Sequence, residues 1–415
     1  MSEATSSASS GRFLSFAEQA LHYFDRPHET IAHAPIATRA AWRGADVAAR
    51  DDWIVTLTSA EITEIEQALE VVETRGIAME AMRREAFPLP TLAPRVRAWT
   101  RELADGRGFL VVRGLPVERW GDEHAARAYW GLGLHLGRPG AQNPANELLG
   151  HVVDTGEDAA NPFVRRYRTA GDIAYHCDLA DAVGLLCLRA AKSGGASRIV
   201  SSVTVYNELL RRRPDLVARL YEPFRLDRRD EHGGGPAWVP VIPCRHAEGT
   251  LRTFYHSDYF RSAVRHADVP PFTAEEQALL DCYEAIANEP GLYFDMQFAP
   301  GDIQLVSNHF ILHARTAYED HPEPARKRHL LRLWDHGRDP RRINPGSRRS
   351  RRRGVSDRAA WRRQSRPASI RRGRRGRQPC PPPRPSRCTA GSPSSRDGRG
   401  DRPRCSAPRR GDSRP

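Results

Sequence analysis

The chain has 415 residues, a formal net charge of +13 and a basic pI, but the surplus sits at one end. Residues 335–415 hold 26 Arg, no Lys, 6 Asp and no Glu, about +20, so residues 1–334 carry about −7 and the body is not marked as a nucleic-acid binder. No apolar run approaches the roughly 20 residues of a membrane span, and no charged and then apolar segment opens the chain; a soluble cytoplasmic protein is expected.

Residues 1–50, polar and rich in Ala and Ser, read as an irregular lead-in to a domain over 51–334. Thr58 and Glu61 make a capping box for a helix with Ile62, Ile65, Leu69 and Val72 on one face and Gly76 as its stop. A second helix is expected over 94–104 with Val96, Trp99 and Leu103 inward, then a buried strand in "GFLVVRGLP" and another helix over 123–136. From about residue 149 short apolar runs dominate: "LLCLRA", "SRIVSS", "TFYH" with its neighbours, the alternating "LYFDMQF", and "IQLVSNHFILHAR" as a strand pair. Helices over 203–212 and 274–288 interrupt them, the second with a Thr273/Glu276 capping box. Strands gathered around inserted helices predict a β-rich α+β domain with a sandwich or barrel core.

The body holds Cys177, Cys187, Cys244 and Cys282 with no C-x-x-C spacing, which indicates neither a zinc knuckle nor a disulfide framework. Residues 335–415 have too few apolar side chains to bury a core, which predicts disorder. An Arg-rich arm for nucleic acid is one reading. An out-of-frame stretch of a GC-rich gene better fits the absence of Lys, Glu and Leu.

In "AYHCDLADAVG", His176 and Asp178 stand one residue apart, so on a strand both would point to one side and Cys177 to the other. An H-x-D triplet is common by chance, and it gains weight only with a third ligand. His313 is one candidate; His309, His321 and His329 are others. Two histidines and one carboxylate would make the facial set that leaves positions open on non-haem Fe(II).

The runs "YHCDLAD", "KSGGASRIVSS", "FAPGDIQLVSNHFILHARTAYED" and "KRHLLRLW" together resemble the TauD/TfdA family of Fe(II)- and 2-oxoglutarate-dependent dioxygenases over roughly residues 90–334. The resemblance implies a double-stranded β-helix, or jelly-roll, core with flanking helices. It also implies Fe(II) held by His176, Asp178 and His313, the last chosen over His309 because Asn308, His313 and Arg315 match the family's N-x-x-x-x-H-x-R element. The distal carboxylate of 2-oxoglutarate would go to Arg328, assisted by the hydroxyl of Ser197 in a G-G-x-S turn, with Arg332 as a rival or as a substrate-binding residue. A planar guanidinium suits a carboxylate because it offers two parallel bonds.

The loop "EDHPEPARK" lengthens the usual spacing before Arg328. Arg332 reads equally well as one half of a surface ion pair. Asp178 favours hydroxylation, since relatives that halogenate lack this carboxylate. The expected reaction is therefore hydroxylation of an aliphatic carbon of a small anionic substrate, with O2 consumed and succinate and CO2 released. Tyr255 or Tyr259 is expected in the pocket. No membrane partner is expected, nucleic acid only through the basic arm, and a homo-oligomer is open. Two other classes stand beside this one: an inactive binding protein, and a Zn(II) hydrolase using the same three ligands.

Overall fold

The computed structural model describes residues 13–158, 161, 163–229 and 235–337. All of them fall within one contact unit; the tail read as disordered or out of frame lies outside the described residues. Seven strands make the larger sheet, in the order Ile54–Thr56, Phe109–Arg113, Ile303–Ser307, Ala182–Arg189, His329–His336 and Arg138–Gly140, with Leu149–Val152 also paired to His329–His336. Only the first pair is parallel. Four strands make the smaller sheet, in the order Tyr293–Met296, Ser197–Ser201, Ile311–Arg315 and Ile173–His176.

The larger sheet is covered on both faces, which explains why "FLVV" is apolar without alternation. Phe109 and Val111 join one core with Val183, Val306 and Trp334 and with Tyr175, Ile199 and Met296 of the smaller sheet. Leu110 and Val112 join the other, against Ile65 and Leu69, Val96 and Trp99, and Tyr129 and Trp130. Those three pairs come from helices Ser59–Thr74, Ala93–Asp105 and Val117–Leu136. Both capping boxes form as their spacing predicts. Gly76 at φ +59° ends the first helix, in the left-handed region that suits glycine.

Several expectations need correction. The lead-in is not irregular: Ser15 and Glu18 box the start of a helix, Phe16–Phe24, and Tyr23 on it is 0% exposed. One apolar face sufficed where mean composition was polar. Ile303–Ser307 and Ile311–Arg315 are not partners; each belongs to a different sheet, because residues 308–310 turn the chain from one layer to the other. The strand around "TFYH" stops at Thr253, and the chain rejoins a sheet only at the isolated His256 bridge to His176. The last strand runs to His336, two residues beyond the expected boundary, with Asp335 and His336 both buried. No described helix is long and apolar enough to cross a membrane. The four body cysteines are all free.

Candidate active site

His176 ends one strand of the smaller sheet and lies directly opposite His313 on its antiparallel neighbour. Side chains facing across such a pair are neighbours, and here the ring centroids stand 4.2 Å apart. The register breaks between His313 and Arg315. Asp178 lies two residues past its strand rather than on it, yet the alternation persists, with Cys177 turned into the core. The Asp178 amide donates to Asn308 Oδ1 at 3.1 Å, and the Asn308 amide donates to Asp181 O at 3.0 Å. Asn308 thus ties the loop carrying the carboxylate to the turn five residues before His313, which gives the N-x-x-x-x-H spacing a physical reason.

Ligand-capable atoms of His176, Asp178 and His313 all lie within 4.8 Å of one another. His176 Nδ1 donates to Ala174 O at 2.9 Å, since a carbonyl only accepts, which leaves Nε2 as the ring nitrogen free to face a metal. His313 Nε2 faces Asp178 Oδ2 at 3.7 Å, too far for a hydrogen bond, and its buried Nδ1 has no partner. Burial above all, then the neighbouring His176, pushes His313 down to about 3, so it is neutral near pH 7. Burial pushes the Asp178 carboxyl up, but Arg332, His313, His176 and the Trp334 bond outweigh it and hold the group below the usual carboxylate range. Two imidazoles and one ionised carboxylate converge, a donor set that fits a divalent iron with open positions.

Trp334 Nε1 donates to Asp178 Oδ2 at 2.9 Å. Partners of this kind fix a ligand's orientation. Trp334→Phe keeps the packing and removes the donor, and is expected to weaken iron binding by about 10- to 100-fold, measured by anaerobic equilibrium dialysis.

A cavity of about 520 Å3, including its open mouth, is lined by all three residues together with Ser197, Arg315, Arg328 and Arg332. Arg328 is 4% exposed, forms no described ion pair, and leaves Nη1 without a partner. Its guanidinium lies 4.9 Å from the Tyr318 ring centroid; that of Arg315 lies 4.8 Å from the same ring. Burial lowers both guanidinium pKa values, Arg315 to about 10, so both remain cations near neutrality. The G-G-x-S turn comes close: Gly195 at φ +69° would place a Cβ 3.2 Å from Arg328 Nε. Ser197 Oγ donates to Gln304 Oε1 at 2.9 Å; serving a carboxylate requires its hydroxyl to turn.

Arg332 is no surface residue. It is 7% exposed, its Nε donates to Gln142 Oε1 at 2.7 Å, its Nη1 lies 3.6 Å from Asp178 Oδ1, and Tyr167 and Trp334 lie each 4.8 Å from it. His309 stands elsewhere, in the turn, bonded to Asp181 Oδ1 at 2.8 Å. His321 and His329 also lie outside the cluster. Tyr255 is a core residue, stacked on Tyr283 and bonded to Glu284. Tyr259 stacks on His256, whose ring lies 5.1 Å from that of His176. No spacing in the sequence connects His256, Gln142, Tyr167 or Gln304 to the H-x-D triplet.

The sequence profile of the "Taurine catabolism dioxygenase TauD, TfdA family" matches residues 73–334. FR-33289 synthase of Streptomyces rubellomurinus is 31% identical over 73% of this chain and 91% of its own length. A taurine hydroxylase-like protein of Stachybotrys chartarum is 27% identical over 74% and 82%. Among solved structures, asparagine oxygenase in complex with Fe(II), 3-hydroxyasparagine and succinate shares the fold, with a TM-score of 0.54, 19% identity, and coverage of 71% of this chain and 97% of that one.

Proposed function

Because this chain belongs to the TauD, TfdA family of dioxygenases, we propose that it uses Fe(II), 2-oxoglutarate and O2 to hydroxylate an aliphatic carbon of a small anionic substrate. The observation that carries the reading is one cavity in which His176, Asp178 and His313 converge beside Arg328, whose buried Nη1 has no partner. The two sheets are read as the double-stranded β-helix, with the three ligands on and just beyond its smaller sheet.

The reaction balances as 2-oxoglutarate, O2 and R–H giving succinate, CO2 and R–OH. Bound iron supplies the coupling between oxidative decarboxylation and C–H cleavage. The chain's own residues do the rest. His176, Asp178 and His313 hold the metal, and Arg328, with Ser197 turned towards it, holds the distal carboxylate. Val152, Val183, Leu185 and Leu330 give the cavity an apolar wall that limits water.

Three guanidiniums against one carboxylate line this cavity. A divalent cation and a dicarboxylate cancel, so the surplus positive charge favours a substrate with an anionic group. Arg332, whose Nη1 lies 3.6 Å from Asp178 Oδ1, is the cation placed to meet it. The taurine in the fungal relative's name is a sulfonate, which agrees with this charge.

Purified protein with Fe(II), ascorbate and O2 should convert 2-oxoglutarate to succinate above a no-enzyme control even without substrate. A chain that is iron-loaded yet neither forms succinate nor binds 2-oxoglutarate overturns the proposal. A Zn(II) hydrolase has no use for the Arg328 site, so binding of 2-oxoglutarate also separates that class.

A further inference from the structure

A second His/Asp cluster stands apart from the active site. His22 on helix Phe16–Phe24, Asp181 on the segment after the H-x-D triplet, and His336 at the end of the last strand bring ligand-capable atoms within 4.8 Å of one another. His22 Nε2 lies 2.9 Å from Asp181 Oδ2, and His336 Nδ1 lies 3.7 Å from the same oxygen. That second separation equals the one between His313 Nε2 and Asp178 Oδ2. Two donors each about 2 Å from a shared ion stand roughly 3–4 Å apart.

His336 is the independent sign. It is 2% exposed, yet neither ring nitrogen has a hydrogen-bond partner. Leaving such groups buried and unpaired is costly. A hydrogen-bonded cluster alone satisfies His22 and Asp181 but leaves His336 unexplained; an ion between them would use it.

We propose that His22, Asp181 and His336 form a second metal site that takes a divalent first-row cation, Zn(II) foremost, and clamps the N-terminal helix to the end of the last strand. The donor set of two imidazoles and a carboxylate suits four-coordinate Zn(II) with water as the fourth ligand. His309 Nε2 bonds Asp181 Oδ1 at 2.8 Å and the Gly337 amide donates to Oδ2 at 3.1 Å, two bonds that hold the carboxylate in place, the support that metal-bound carboxylates receive. Asp181, His309 and His336 also line a cavity of about 550 Å3, including open space, which gives an ion and its water a way in. Arg252 and Asp335 on the same wall offset each other in charge. Binding displaces the proton between His22 and Asp181, so affinity falls at low pH.

The test uses the full chain, stripped with a chelator and titrated with Zn(II) alone. In an Asp178→Ala/His313→Ala background, which removes two of the three active-site ligands, adding His336→Gln should lose one bound equivalent per chain. It should also abolish a Zn(II)-dependent rise in melting temperature. Equal Zn(II) binding with and without His336→Gln overturns the proposal. If that background does not fold, the comparison moves to the otherwise unaltered chain. His22→Gln, a change on a partly exposed helix position, should there lower bound Zn(II) by one equivalent while the folded circular dichroism spectrum persists. An unchanged count sinks the site.

Discussion

Asp178→Ala and His313→Ala should each abolish turnover and release iron from the active site, whereas His309→Ala should leave both in place. A three-residue site stripped of one ligand loses both affinity and shape. The contrast between the two histidines is the informative part, because they are four residues apart and both are buried. His313 lies opposite His176 in the sheet, whereas His309 is turned into the layer between helix and sheet, where it stacks on Tyr23 at 5.1 Å and bonds Asp181. Turnover is read as succinate formed, and iron by anaerobic dialysis. Full activity in His313→Ala, or iron lost from the active site in His309→Ala, would show that the third ligand is misplaced. His176→Ala should behave as the other two ligand variants do.

The sequence made that choice legible only in part. Strand alternation predicted that residues 176 and 178 share a side, and the structure keeps the alternation even though Asp178 lies beyond the strand. Alternation could not choose among four histidines, because cross-strand register is a property of pairing at long range. The resemblance singled out Asn308 and His313 as a motif, and the structure adds the cause, a side-chain amide holding the Asp178 backbone.

What stayed hidden follows one rule. Gln142 and Tyr167 reach Arg332, and Trp334 reaches Asp178, from separate segments, and contacts of this kind leave no local periodicity. The N-terminal helix is hidden in the sequence for a related reason. Its stability comes from packing Tyr23 against the 308–310 turn, with the Tyr23 hydroxyl donating to Asn308 O at 2.7 Å, rather than from a hydrophobic composition. Ser59–Thr74 and Ala274–Ala287 open with the same capping box as Phe16–Phe24 but run for 16 and 14 residues against nine, long enough for a helical apolar period to show in the sequence.

The strongest discrimination between the two arginines comes from 2-oxoglutarate itself. Arg328→Ala should raise the half-saturating 2-oxoglutarate concentration roughly thirty- to thousand-fold, or about 2–4 kcal/mol, because it removes a bidentate charge-assisted contact from a buried site. Ser197→Ala should raise it only about five-fold, or about 1 kcal/mol, since a neutral hydroxyl adds one bond. That hydroxyl, moreover, starts out bound to Gln304. Arg328→Lys should recover part of the loss, as a point charge without the fork does.

Arg332 differs in the bonds it already has. Its Nε is committed to Gln142 and its Nη1 lies beside Asp178, whereas Arg328 keeps a buried nitrogen without a partner. Arg332→Ala should therefore act on iron affinity and on the substrate, leaving the 2-oxoglutarate dependence of uncoupled succinate formation within a few-fold of the parent. A large rise for Arg332→Ala with little change for Arg328→Ala would mean that the longer loop before Arg328 has exchanged the two roles. The outcome is decided by measuring succinate against 2-oxoglutarate concentration at saturating iron, where a loss of metal cannot imitate a loss of co-substrate.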